Sequence, residues 1–186
     1  MSTLTDPHLF VSGNLALNFI GTVGERRTTF LDRLTTADDL AEWVVAAGIL
    51  DTAPDCAGAL ERAVRLREAG WRLMLATLEG TPTAEADRAL ANRHAHDTLP
   101  ELTLRADGSV RRSGTIDSAL AAIARSAIEL LGSPERDRLK ECGRDACTRL
   151  YIDTSRGGSR RWCDMTVCGN RAKSKAFRAR NTEPAH

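Results

Sequence analysis

Four cysteines crowd into one stretch of the 186-residue chain: Cys142, Cys147, Cys163 and Cys168, with Cys56 alone far upstream. They form two C-x4-C pairs separated by fifteen residues. Short pairs around a hairpin-sized insert are how a small module brings four thiolates to one tetrahedral zinc ion. Four protein thiolates close the coordination sphere and leave no position for water, so a single Zn2+ with a structural role is expected. Gly143, just after the first ligand, would let the backbone turn its amides toward sulfur. His94 and His96 sit at i, i+2 in a helical pattern, face different ways, and are expected at the surface. Cys56 is expected to pack as a small hydrophobe near a helix start.

The surroundings of this cluster are basic. Residues 1–135 hold 13 Lys+Arg against 19 Asp+Glu, a net −6, whereas residues 136–186 hold 13 against 6, a net +7. Four thiolates and Zn2+ together carry −2, which leaves the basic end near +5. Arg160 and Arg161 lie beside Cys163, and Arg171, Lys173, Lys175, Arg178 and Arg180 follow Cys168. On a helix Arg171, Lys175 and Arg178 share a face while Phe177 turns inward. Such a surface can displace condensed counterions from phosphates, so DNA is the expected partner, with RNA or an acidic protein as alternatives. Many DNA readers dimerise to reach two half-sites, which makes a homodimer a candidate assembly. Trp162 is expected in the module's small core rather than as a base-stacking platform. Asn170 is expected to cap the last helix or the zinc loop. No nucleophile–base pair, phosphate-cradling glycine loop or HExxH stands in the chain, so no catalytic residue is assigned and no enzyme activity is expected.

The elements that must carry these residues follow from periodicity and caps. Leu9–Val11 and Leu15–Ile20 read as short strands broken at Ser12-Gly13-Asn14. Thr36 to Asp39 approximates a capping box, and Leu40, Trp43, Val44 and Ala47 repeat at helical spacing up to Gly48. A longer helix is expected from Pro54 to Glu79 with Val64, Trp71, Leu75 and Leu78 inward, and another from Thr81-Pro82 toward His96. Asp107-Gly108 between alternating segments predicts a hairpin with a type I′ turn. Residues 118–131 return to helix, with Leu120, Ile123, Ala124, Ala127, Ile128 and Leu131 in one stripe, and Gly132-Ser133-Pro134 ends it. Leu150–Ile152 reads as a short strand, and the residues after Cys168 favour helix.

The fold class expected is α+β. A helix-rich domain at 1–133, with short strands and a β-hairpin, joins a small treble-clef-like zinc module at 134–186, which has too few apolar residues to fold without its metal. Hydrophobic residues are 42% of the chain but aromatics only 4%, so Leu, Ala and Val must fill the core and an all-β sandwich is disfavoured. No run of apolar residues is long enough to span a membrane, and MSTLTDPHLF has neither a basic nor an apolar leader segment. A cytoplasmic protein is expected.

Ser159 to Lys173, with Asp153-Thr154-Ser155-Arg156 upstream, resembles the CGNR zinc-finger family. Gly13 to Thr22, Leu40 to Trp43 through Gly48, and Leu66-Arg67-Glu68 are similar to the ABATE domain that commonly precedes that finger. The family usually shows Asp where Asn18 stands and Asn where Gly21 stands. The resemblance implies a bacterial, stress-linked transcription regulator, with the finger on DNA and the larger domain sensing or pairing.

Overall fold

The computed structural model describes residues 10–174. In chain order the elements are α1 (Leu15–Ile20), β1 (Val23–Gly24), β2 (Leu31–Asp32), α2 (Ala37–Ala46), α3 (Leu60–Glu79), α4 (Glu85–Ala95), β3 (Glu101–Leu104), β4 (Val110–Ser113), α5 (Ile116–Gly132), a 3-10 turn at Pro134–Arg138, β5 (Leu139–Glu141), β6 (Leu150–Ile152) and a π-helical turn at Met165–Gly169. Residues 170–174 continue as helix. The strands form three separate antiparallel pairs, β1–β2, β3–β4 and β5–β6. The α+β class holds.

Two helix starts are set by reciprocal capping boxes. Thr36 Oγ1 accepts from the Asp39 N–H while Asp39 reaches back to the Thr36 N–H, and Thr115 and Ser118 repeat the arrangement for α5. Each satisfies two amides that the first turn leaves without intrahelical partners. The remaining boundaries correct several expectations. Leu15–Ile20 is a helix, not a strand: Asn14 accepts from the Leu17 N–H, and the turn packs Leu17, Phe19 and Ile20 into the core. α3 starts at Leu60 rather than Pro54, and α4 at Glu85 rather than Thr81. The inward face of α3 is Ala63, Leu66, Arg67, Ala69, Gly70, Leu73 and Met74, while Val64, Trp71 and Leu75 are half-buried and Leu78 is exposed. The β3–β4 turn also differs. The Gly108 N–H bonds to the Arg105 carbonyl at 3.0 Å and only Gly108, at φ +81°, takes a positive φ, so the loop is a type I turn closed by a left-handed glycine instead of type I′.

α1, α3, α4 and α5 pack on one another, and the main core gathers Leu17, Phe19, Leu40, Trp43, Leu66, Met74, Leu120 and Ile123. Leu139, Leu150 and Ile152, from β5 and β6, belong to that same core. Tyr151, between two of them, turns the other way and joins the four cysteines. One strand of period two therefore feeds both clusters.

Arg67 is 1% exposed and is held by charge. It binds Asp32 with both terminal nitrogens at 2.7 and 2.6 Å and reaches Glu68 at 2.9 Å; Arg26 binds Glu68 from the other side at 2.5 Å. The Arg26 guanidinium also lies over the Trp71 ring at 4.5 Å. Burial pushes the Asp32 and Glu68 carboxyls up, but bonds from Arg67 and Arg26 outweigh it and leave both below the usual range. A lowered folded-state value contributes stability that is fully present above the unfolded pKa and is lost as pH falls through the folded one. The urea midpoint of unfolding should therefore fall between neutral pH and about pH 3. Asp32→Asn should lose less over that interval than the parent, and an equal loss in both would remove Asp32 from the account.

Candidate metal centre and basic surface

β5 ends at Glu141 and β6 begins at Leu150, so the first cysteine pair occupies the loop of a hairpin registered Leu139↔Ile152, Lys140↔Tyr151 and Glu141↔Leu150. The loop is tied by the Cys142 N–H to the Arg149 carbonyl at 2.9 Å. The Gly143 amide, expected to aim at sulfur, instead donates to the Arg161 carbonyl at 2.8 Å and draws in the second segment. Sulfur receives the Cys163 N–H, which meets Cys142 Sγ at 3.5 Å. The second pair brackets a turn capped by Asp164, whose carboxylate accepts from the Thr166 N–H at 2.7 Å. Asn170 stands at the C-terminal cap of the same turn, where its Nδ2 donates back to the Thr166 carbonyl at 2.9 Å.

Asp153 anchors the intervening loop. Its carboxylate accepts from Lys140 Nζ at 2.6 Å, the Ser155 N–H at 2.9 Å and the Arg160 N–H at 3.0 Å. The Lys140 bond above all holds that carboxyl well below the usual carboxylate range. The Tyr151 hydroxyl donates to the Arg160 carbonyl at 2.7 Å, and Trp162 packs half-buried on the cysteine cluster, as expected.

All four cysteines are buried and none is in a disulfide. Their sulfurs lie within 4.8 Å of one another. Cys163 Sγ is 3.6 Å from Cys168 Sγ and 3.9 Å from Cys147 Sγ. Four thiolates about one zinc at roughly 2.3 Å would be spaced by about 3.8 Å, far beyond the roughly 2 Å of an S–S bond. Hydrogen bonds among the four sulfurs push the Cys142 and Cys163 thiols up and hold that of Cys147 below the ordinary thiol value, so the four titrate as one coupled set. The donor set fits one structural zinc. Among the described residues no second group of metal-ligating side chains converges in this way. His94 sits half-buried at the end of α4, and Cys56 is buried in the main core with its thiol pushed up by burial.

A family model named ABATE and described as "Putative stress-induced transcription regulator" matches residues 13–134, about two thirds of the chain. The chain belongs to the ABATE family. A second model, described as CGNR zinc finger, matches residues 138–181 and contains all four cysteines. No curated protein matches the chain.

In the ABATE region the two unusual positions have local explanations. Asn18 Oδ1 accepts from the Ser12 N–H at 3.1 Å, which needs an acceptor but no charge. Gly21 lies under Arg149: a Cβ there would stand 2.4 Å from Nη1, and Nη2 donates to the Gly21 carbonyl at 3.3 Å. The ABATE loop between β1 and β2 grips the finger as well. The Arg26 N–H meets Thr148 Oγ1 at 3.1 Å, Arg27 Nη2 meets Glu141 at 2.9 Å, and Glu25 meets Arg144 at 3.5 Å. This junction encloses a cleft of about 310 Å3 lined by Arg33, Arg144, Arg149 and Arg171, with Glu25 the one carboxylate. Arg33, Arg144 and Arg149 had no signal in the sequence, because the chain after β2, the β5–β6 loop and the helical segment with Arg171 come together only in the fold.

Of the basic residues expected to face a nucleic acid, Arg161, Arg171 and Lys173 are exposed. Arg161 lies over the Trp162 ring at 5.3 Å. Arg160 is half-buried over Tyr151 at 4.6 Å and donates to the carbonyls of Trp162, at 2.8 Å, and Cys163. Lys175, Arg178 and Arg180 lie outside the described residues. No helix of the described residues is long and apolar enough to cross a membrane.

Proposed function

We propose that this chain is a cytoplasmic bacterial transcription regulator that binds duplex DNA through its basic zinc finger and catalyses no reaction. The observation that carries this reading is the cationic cleft between the ABATE loop and the finger, lined by Arg33, Arg144, Arg149 and Arg171, on a finger that also exposes Arg161 and Lys173. Four guanidiniums against one carboxylate make a strongly positive concavity that suits a phosphate. We assign the phosphate contacts to Arg161, Arg171 and Lys173, and to Lys175, Arg178 and Arg180 beyond them. Arg160, also part of the sequence-derived set, spends its donors on backbone carbonyls and serves the surface by fixing the loop. We place the boundary of the regulatory domain at 133, with the finger module at 134–186 and its metal on Cys142, Cys147, Cys163 and Cys168.

Phosphate contacts make affinity fall with salt, by about 0.9 in the log–log slope per contact. In a polarisation titration of the zinc-loaded full chain on duplex DNA, replacing Arg171, Lys175 and Arg178 together by Ala should flatten that slope by up to about 3. Binding should weaken alike on all sequences while zinc content stays at one per chain. Competition separates the readings: plain duplex DNA should displace the probe better than single-stranded RNA or an acidic polypeptide. No affinity for any nucleic acid at about 50 mM salt would end the regulator reading.

A further inference from the structure

The β3–β4 hairpin stands away from the core, and every residue from Glu101 to Arg112 is exposed. Its apolar content is unusual for such a position: Leu102 is 69% exposed, Leu104 75% and Val110 40%. The register Leu102↔Arg112 and Leu104↔Val110 puts these side chains on one face. The two edges of the hairpin differ. The outer edge of β4 is engaged at Arg112, where the Asp51 N–H donates to the Arg112 carbonyl at 3.0 Å and the Arg112 N–H donates to Asp51 Oδ2 at 2.9 Å. β3 pairs only with β4 in its sheet, and it holds no proline or lysine that would discourage a further strand.

The sequence of β3 complements itself. Read antiparallel about Thr103, Glu101-Leu102-Thr103-Leu104-Arg105 sets Glu101 against a second Arg105, Leu102 against a second Leu104, and Thr103 against itself. The backbone phase agrees independently. The Arg105 N–H bonds to the Ser109 carbonyl at 2.8 Å, so Arg105, Thr103 and Glu101 direct their backbone groups toward β4. In an antiparallel ladder the alternate residues, Leu102 and Leu104, then turn their N–H and C=O to the open edge. The register that pairs opposite charges is thus the one that pairs Leu102 with Leu104 by backbone hydrogen bonds.

We infer that β3 is a homodimerisation edge, where a second copy of this chain adds its own β3 antiparallel about Thr103 to make a four-stranded sheet β4–β3–β3–β4. The occupant is a second copy because the charges and the backbone phase select the same strand. The contact joins the two leucine pairs into one apolar strip and places an ion pair at each end. Its edge is short, so dimerisation depends on concentration. The inference is independent of the nucleic-acid reading, since it is measured without nucleic acid.

Sedimentation velocity on the zinc-loaded chain over a wide concentration range should resolve a monomer–dimer equilibrium. Glu101→Arg and Arg105→Glu should each weaken it by about tenfold, because each turns two opposite-charge cross-strand pairs into like-charge pairs. The double variant Glu101→Arg/Arg105→Glu should restore the parent value. Unchanged circular dichroism and Tm would establish that the variants are folded. Thr103→Cys should cross-link to itself under oxidation, because a non-hydrogen-bonded pair places its Cα atoms about 4.5 Å apart, within disulfide range. Arg111→Cys should not. A chain monomeric at every concentration overturns the inference. So does a dimer indifferent to both charge reversals, a double variant that stays weak, or a Thr103→Cys that fails to cross-link.

Discussion

Replacing Cys163 with serine will abolish stoichiometric zinc binding and melt the finger. Cys163 is fully buried and its sulfur lies close to those of Cys147 and Cys168. Structural zinc holds small finger peptides by roughly 10–16 kcal/mol at neutral pH, so one lost thiolate exceeds anything the cluster's own packing can replace. Amide exchange provides the readout. The N–H groups of Cys142, Gly143 and Gly169, which bond to the carbonyls of Arg149, Arg161 and Asp164, should lose protection. The damage should not stop at the finger. Leu139, Leu150 and Ile152 sit in the main core, so the whole chain should melt at a lower temperature than the zinc-loaded parent. Acid should act in the same direction, because protons compete with the metal for thiolate. A Cys163→Ser chain that keeps one zinc and full protection would refute the assignment.

Trp43→Ala will produce the largest loss among the apolar positions. Its indole is fully buried in the main core, 5.0 Å from the Phe19 ring and 6.2 Å from that of Phe10. Large-to-small changes of this kind cost about 3–5 kcal/mol through lost burial and the cavity left behind. For a chain of this size the melting temperature should fall by on the order of 10 °C. Trp43→Phe should cost much less. It keeps most of the apolar volume and removes Nε1, a buried donor with no partner whose burial is unfavourable. Equal losses for the two variants would mean that ring volume does not set the stability of this site.

The parts legible in the sequence are those where a local signal and the tertiary environment agree. Thr36 and Asp39 form the capping box that their spacing suggests, Leu120, Ile123, Ala124 and Ala127 of the α5 stripe are buried while Ile128 and Leu131 are half-buried, and the cysteine pairs converge. The misreadings have identifiable causes. Leu15–Ile20 is a six-residue segment, apolar except for Asn18 and too short for periodicity to separate strand from helix. The phase of α3 was hidden because its buried face includes Ala63, Arg67, Ala69 and Gly70. Hydropathy does not mark small residues, and it cannot anticipate an arginine neutralised by Asp32 across the chain. The cleft was invisible for the same reason: its cations come from the chain just after β2, the zinc knuckle and the last helical turn.

Because Leu150 and Ile152 lock into the helical body while Tyr151 backs the metal site, there is no hinge between the two. Adjacent residues of a strand cannot rotate independently, so the finger does not sample directions as a tethered bead would. Its aim is set when the chain folds. A partner that meets it need not freeze a swinging joint, and the orientational entropy that flexible tandem modules lose at binding has already been spent during folding.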